Sequence, residues 1–170
     1  MNARVNRQTV DLSAYPDLVV IYLGMKVQAL RGIKTLLGFG RQIDIAGAGR
    51  PEGLLHFENN LIYSLFPLHV GMRWYWRDFE CMERWTRSEP HRVWWQKFLR
   101  DSGGTGFWHE TYFMRGGMEA VYDDVQKPLG FQAFAPLMSA HGPVFSARRR
   151  LGISGEVPIQ PEGVTERDVT

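Results

Sequence analysis

Leu68-His69-Val70-Gly71-Met72-Arg73-Trp74-Tyr75-Trp76-Arg77 ends in a run that alternates apolar with amphipathic or charged side chains. Successive side chains of a strand point to opposite faces, so Met72, Trp74 and Trp76 share one face and Arg73, Tyr75 and Arg77 the other. One face is built for packing and the other is amphipathic. Upstream, residues 54–63 also read as extended, and the interruption at Pro67 makes the two runs neighbouring strands. The stretch 58–70, with Asn59, Asn60 and Pro67, is more irregular than a plain strand pair and reads as a pocket lid or a loop.

Residues 17–25, Asp-Leu-Val-Val-Ile-Tyr-Leu-Gly-Met, are rich in β-branched and aromatic types and follow Pro16, which predicts a buried first strand. Residues 28–45 carry apolar side chains at Leu30, Ile33, Leu37 and Ile45, a helical stripe interrupted by Gly32, Gly38 and Gly40. Each such glycine costs a helix about 1 kcal/mol, so this helix is expected to be irregular or to rely on packing. After the tryptophan-rich strand, Asp78 predicts an N-cap, with Phe79, Met82 and Trp85 as the buried stripe and Cys81 off it. Ser88-Glu89-Pro90 breaks that helix, and a second half runs on until Gly103-Gly104. Thr105 to Arg115 reads as a strand that Gly116-Gly117 turns into a hairpin with residues 118–125. Its alternation separates Phe107, His109, Thr111 and Phe113 from Trp108, Glu110, Tyr112 and Met114, and parity alone leaves open which set faces inward. Beyond Pro128 the chain reads as a covering arm or short helix, and residues 153–170 as a disordered tail following a domain of residues 1–152.

Composition narrows the function classes. The chain has 170 residues, 20 Lys+Arg against 18 Asp+Glu, 44% hydrophobic residues and one cysteine. This is the balance of an ordinary globular domain, and lone Cys81 offers neither an internal disulfide nor a cysteine-based metal site. Residues 1–8 lack the apolar core of a secretory signal and the run 18–23 is too short to cross a bilayer, so a cytoplasmic protein without membrane attachment is expected. Arg148, Arg149 and Arg150 are the tightest basic run, too small a footprint for a nucleic-acid partner.

Strand, helix, two strands, helix, hairpin is the βαββαβ order of a ferredoxin-like antiparallel sheet with its helices on one face. With six Trp, six Tyr and ten Phe, such a chain is expected to cover its other sheet face by pairing with a second copy. The prediction is an α+β homodimer closed as a dimeric α+β barrel, with a C-terminal arm. Over most of residues 8–152 the chain resembles the monooxygenase-like family of that superfamily, whose members include fumagillin-biosynthesis monooxygenase-like proteins. The resemblance lies in Val19-Val20-Ile21-Tyr22-Leu23-Gly24-Met25, in Tyr75-Trp76-Arg77-Asp78-Phe79-Glu80 and most specifically in Gly106-Phe107-Trp108-His109-Glu110-Thr111-Tyr112. Fainter echoes are Glu119 to Tyr122 and Arg148 to Gly152. It implies a barrel that encloses a small, largely apolar organic ligand, as in cofactor-independent monooxygenases and, more distantly, haem-containing aldoxime dehydratases.

The residues suggest who would do such chemistry. His109 brings an imidazole, a group able to serve as base, acid or iron ligand, and is the expected base, or the haem ligand if haem is bound; the alternative is a histidine satisfied in packing. Glu110 points to the opposite strand face and cannot orient it. Arg73 and Tyr75 share a face and could hold a developing anion, with Tyr112 joining them if strand register allows. Trp74, His91 and Glu110 are further expected ligand contacts, His91 from the interrupted helix. No metal site is expected, since His56, His69, His91, His109 and His141 form no His-x-His or His-x-x-x-His grouping. The function expected is therefore a monooxygenase-like enzyme without added cofactor. The alternatives are a haem-binding, aldoxime-dehydratase-like enzyme and a non-catalytic small-molecule binder.

Overall fold

The computed structural model describes residues 5–125 and 127–154. In chain order the elements are β1 (Arg7–Val10), β2 (Val19–Val27), α1 (Arg31–Ala48), β3 (Leu54–Leu65), β4 (Leu68–Trp76), α2 (Phe79–Arg87), α3 (His91–Arg100), β5 (Thr105–Phe113), β6 (Tyr122–Asp123), β7 (Leu137–Ser139) and α4 (Ala147–Ser154). Single 3-10 turns lie at Gly130–Ala133 and Gly142–Val144. They fall into two units: Leu18–Phe113, and the flanking segments Met1–Asp17 with Met114–Thr170.

The Leu18–Phe113 unit is the ferredoxin-like α+β fold. Its four strands are antiparallel in the order β3-β4-β2-β5. The β-branched run of β2 takes a central place, pairing Ile21 with Trp74 on one side and Thr111 on the other. The tryptophan face of β4 packs under the helices: Trp74 and Trp76 form a core with Val19, Cys81 and Met82. Asp78 caps α2 as expected, its Oδ1 accepting the Cys81 N–H at 2.7 Å; bonds from Arg77 and from that N–H lower its carboxyl to about 2. The helical segment breaks at Ser88-Glu89-Pro90, as the proline predicts.

Three expectations are corrected. Helix α1 docks through a different stripe: Gly32, Leu36 and Gly47 are buried, whereas Leu30, Ile33, Leu37 and Ile45 are exposed. The cause is steric, for a Cβ at Gly32 would lie 2.3 Å from the Gly104 carbonyl oxygen and one at Gly47 3.0 Å from the Phe57 ring. Cys81 is not off the stripe but inside the core, at 2% exposure, with the Arg77 Nη2 donating to its Sγ at 2.9 Å. The hairpin across Gly116-Gly117 does not form. β5 pairs with β2 along its whole length, while Tyr122 and Asp123 pair with Gln8 and Arg7. The segment expected to return along β5 is taken instead by β1.

In the flanking unit β6, β1 and β7 make a small antiparallel sheet. Leu137–Ser139 is thus a strand, in an arm expected to hold none. Thr9, 1% exposed, donates its hydroxyl to the Ala120 carbonyl at 2.7 Å. The buried Arg150 donates to Glu119 Oε2 at 2.8 Å and to the Phe145 carbonyl, which ties together the segments 119–122 and 148–152. Of the expected tail, Ile153 and Ser154 finish α4 and residues 155–170 lie outside the described ones.

Candidate functional site

Between the sheet and its helices lies an apolar chamber of about 100 Å³. Ile21, Leu23, Met72 and Trp74 form its floor, Phe39 and Ile43 of α1 one wall, and Trp85, Trp94 and Phe98 of α2 and α3 the other. The wall is aliphatic and aromatic except for Thr86, His91 and the indole N–H groups. The break between α2 and α3 places His91: its Nδ1 sits 2.8 Å from the Thr86 carbonyl oxygen. A carbonyl only accepts, so Nδ1 carries a proton, and in the neutral imidazole Nε2 keeps its lone pair. Burial pushes the His91 pKa below its ordinary value, opposed by the bond to Thr86. The ring stacks obliquely on Trp85, 4.9 Å between centroids. A half-buried, oriented and unprotonated nitrogen in an apolar chamber can accept a proton or a hydrogen bond.

A second compartment of about 70 Å³ adjoins the first, sharing Leu23, Met25, Phe39, Ile43, Met72 and Phe107 in its wall. It ends at a polar rim of Asp44, Asn59 and Asn60. The irregularity of β3 makes that rim. Its register with β4 shifts between Glu58 and Leu61, and Asn60 takes φ 64°. The resulting bulge turns Asn59 toward the chamber floor, where its Oδ1 accepts the Trp74 indole N–H at 3.0 Å and its Nδ2 donates to Asp44 at 2.5 Å. Nothing in a single sequence marks Asn59 and Asp44 as partners; the Asn-Asn pair in a strand was the available sign.

The other sheet face carries the polar cluster. Cross-strand rows set Glu58, Arg73, Tyr22 and Glu110 side by side. Arg73 donates to Glu58 Oε2 at 2.7 Å and to the Tyr22 hydroxyl at 2.8 Å. Burial works against its charge, but Tyr22, Tyr75 and Glu58 outweigh it and hold the guanidinium firmly protonated. Tyr75 is 2% exposed and its hydroxyl donates to Glu58 at 3.3 Å; burial raises its pKa, so it stays a neutral phenol. Further along, the Trp108 indole lies over Gly24 and donates to His69 Nε2 at 2.8 Å.

The expected site residues therefore separate. Arg73, Tyr75, Tyr112 and Glu110 lie on the face away from the helices, where Tyr112 donates to Glu110 at 2.5 Å and packs edge-on against Tyr22. Trp74 and His91 line the chamber on the opposite face. His109 is exposed on the helix side of the edge strand β5, beside Phe107 but outside the chamber wall. The sheet lies between His109 and Arg73 or Tyr75, so these three cannot act on one molecule. Among the described residues no group of three or more His, Cys, Asp or Glu could hold a metal ion, and no helix is long and apolar enough to cross a membrane.

Comparison with known proteins agrees with this architecture. An aliphatic aldoxime dehydratase of Rhodococcus erythropolis is 30% identical over 160 residues, covering 88% of this chain but 44% of the relative. One of Rhodococcus globerulus is 30% identical over 157 residues, with 86% and 43% covered. The chain spans less than half the length of these curated relatives. The crystal structure of an aldoxime dehydratase in complex with butyraldoxime superimposes with a TM-score of 0.67 at 26% identity, over 88% of this chain and 44% of that one. A family model described as monooxygenase af470-like matches residues 18–131, which take in the whole sheet, the chamber and His91. The chain belongs to the monooxygenase af470-like family.

Proposed function

We propose that this chain is a monooxygenase-like enzyme that takes a small, mostly apolar organic molecule into the helix-side chamber and uses His91 as its base. The observation that carries the reading is His91 itself, a neutral imidazole with Nδ1 committed to Thr86 and Nε2 left for a ligand in an otherwise apolar wall. Nε2 takes a proton from an activated C–H. The carbanion passes electrons to O2 and a C–O bond forms. Proton return gives a hydroperoxide, which loses water to leave a carbonyl. Substrate supplies all four electrons and O2 supplies both oxygens, one to the carbonyl and one to water, so no added cofactor is required. The dry wall keeps water from quenching the carbanion. Arg73 and Tyr75 take no part in this step. Their face, with Tyr63 and Tyr112 roughly half exposed, is where we place the second copy of a homodimer.

Haem is the alternative that His91 also suggests, since one imidazole suffices as an axial ligand. The chamber does not fit it: about 100 Å³ is too small for a porphyrin, and no Lys or Arg lines the wall to pair its carboxylates. The relatives' name points to a second reaction, loss of water from an aldoxime to give a nitrile. The test is oxygen uptake with compounds carrying an acidic C–H, beside nitrile formation from butyraldoxime with and without haem. Uptake that His91→Ala lowers by about 10²–10⁴-fold, and His109→Ala leaves unchanged, supports the proposal. Nitrile formation that requires haem replaces it, and ligand binding without turnover makes the chain a binding protein.

A further inference from the structure

We propose that Gly40 is a specificity-determining residue that leaves the second compartment open, so that the ligand is an elongated molecule with its polar head at His91 and its apolar tail beneath α1. The inference rests on the chamber being the ligand site and goes on to say what shape of molecule fills it. Positions 32, 36, 43 and 47 of α1 face the sheet, where Gly32, Leu36 and Gly47 are buried and Ile43 packs against the core. Position 40 falls on that same stripe at helical spacing. A Cβ built at Gly32 or Gly47 strikes its neighbours within 3.0 Å, which explains those glycines by close packing. At Gly40 a Cβ meets nothing within 4 Å, although the position lines the compartment. A helix-disfavouring residue thus occupies a sheet-facing site with no packing reason for being small. What it preserves is space.

That space adjoins the His91 chamber, the two sharing Leu23, Phe39, Ile43 and Met72 in their walls, and together they form the proposed ligand site. It is lined at its polar rim by Asn59 and Asp44, which bond to each other while Asn59 also accepts from Trp74, so a tail entering there meets apolar wall until it reaches that rim. A compact ligand would leave this volume unfilled. Gly38 supplies the internal control: it is also helical with nothing within 4 Å of its Cβ, but it is exposed and lines neither compartment.

The test titrates the full chain with linear primary alcohols of increasing length, read by the fluorescence of the chamber tryptophans. In the unmodified protein affinity should rise about fourfold per methylene until both compartments are filled. Gly40→Leu should bind short alcohols as before and stop gaining at a shorter length, with Gly40→Ala, a milder replacement, in between. Gly38→Leu should keep the original profile. The inference is overturned if Gly40→Leu and the unmodified protein stop gaining at the same length, or if Gly38→Leu shortens the profile equally; either result leaves the chamber reading standing. Absence of binding at every length in the unmodified protein overturns both.

Discussion

Replacing Gly24 by alanine should cost the protein roughly 2–4 kcal/mol, because the residue lies directly beneath an indole ring. The added Cβ would stand 2.6 Å from Trp108 Nε1 and 2.7 Å from Cε2. Carbon contacts are comfortable at about 3.5–4.0 Å, so the ring must retreat by about 1 Å. That retreat breaks the 2.8 Å bond to His69 and the edge contact with Tyr63, whose ring centroid is 5.5 Å away. Overpacking of this kind costs about 1–3 kcal/mol and a lost hydrogen bond adds about 1. Urea unfolding at fixed protein concentration measures the loss. In a Trp108→Ala background the same Gly24→Ala change should be nearly neutral, since the obstacle is gone; the two substitutions should couple by about 2 kcal/mol. Equal cost in both backgrounds would show that Trp108 does not face this way, and with it the parity that puts His109 on the helix side would fail.

Further outcomes follow from the same geometry. Burial holds His91 and His69 below the ordinary histidine pKa, and burial with Arg73 does so for His56 against the pull of Glu58. Between the folded and unfolded values the unfolded chain binds more protons, so stability rises with pH there and falls as pH drops below about 6.5. His91→Phe should flatten that slope in urea unfolding between mildly acidic and neutral pH; an unchanged slope means His91 is not desolvated. Glu58→Ala should destabilise by about 1–3 kcal/mol, since it strips the half-buried Arg73 of its carboxylate, whereas Glu80→Ala on the exposed start of α2 should cost under about 0.5 in the same assay. Cys81, 2% exposed and with its thiol pushed up mainly by burial, should react with a thiol reagent only as fast as the protein opens. Labelling of the native protein at the rate of a free thiol would contradict its place in the core. Introducing negative charge on the outer sheet face, Tyr63→Glu with Tyr112→Glu, should shift sedimentation of the proposed dimer to that of a monomer; an unchanged sedimentation coefficient would remove the sheet-to-sheet dimer.

Much of the fold was legible because the strands announce themselves locally. The alternation of 72–77 and the β-branched run of 17–25 each encode two faces, and Asp78 and Pro90 punctuate the helices by local chemistry. What failed depended on partners distant in sequence. The apolar stripe of α1 looked like Leu30, Ile33 and Leu37, yet close approach by Gly104 and Phe57 selects the glycine face. The Gly116-Gly117 turn was a sound local signal, but the segment beyond it pairs with β1, more than 100 residues away in sequence. The site shows the same division. His91, Trp74, Arg73 and Tyr75 stand out in the sequence by chemical type, but parity could not assign Trp108 and His109 to faces. Two groups on opposite sides of one sheet were therefore read as a single constellation. Asn59 was visible only as an irregularity, because a bulge changes a side chain's direction without changing its neighbours in sequence.

The decisive observation is histidine-ring NMR of the nitrogen-labelled full chain during titration with a short linear alcohol. Free protein should show His91 as the neutral Nδ1–H tautomer, and bound alcohol should shift its Nε2 resonance while leaving His109 unmoved. Movement at His109 with His91 unaffected would place the ligand elsewhere and end the case for the helix-side chamber.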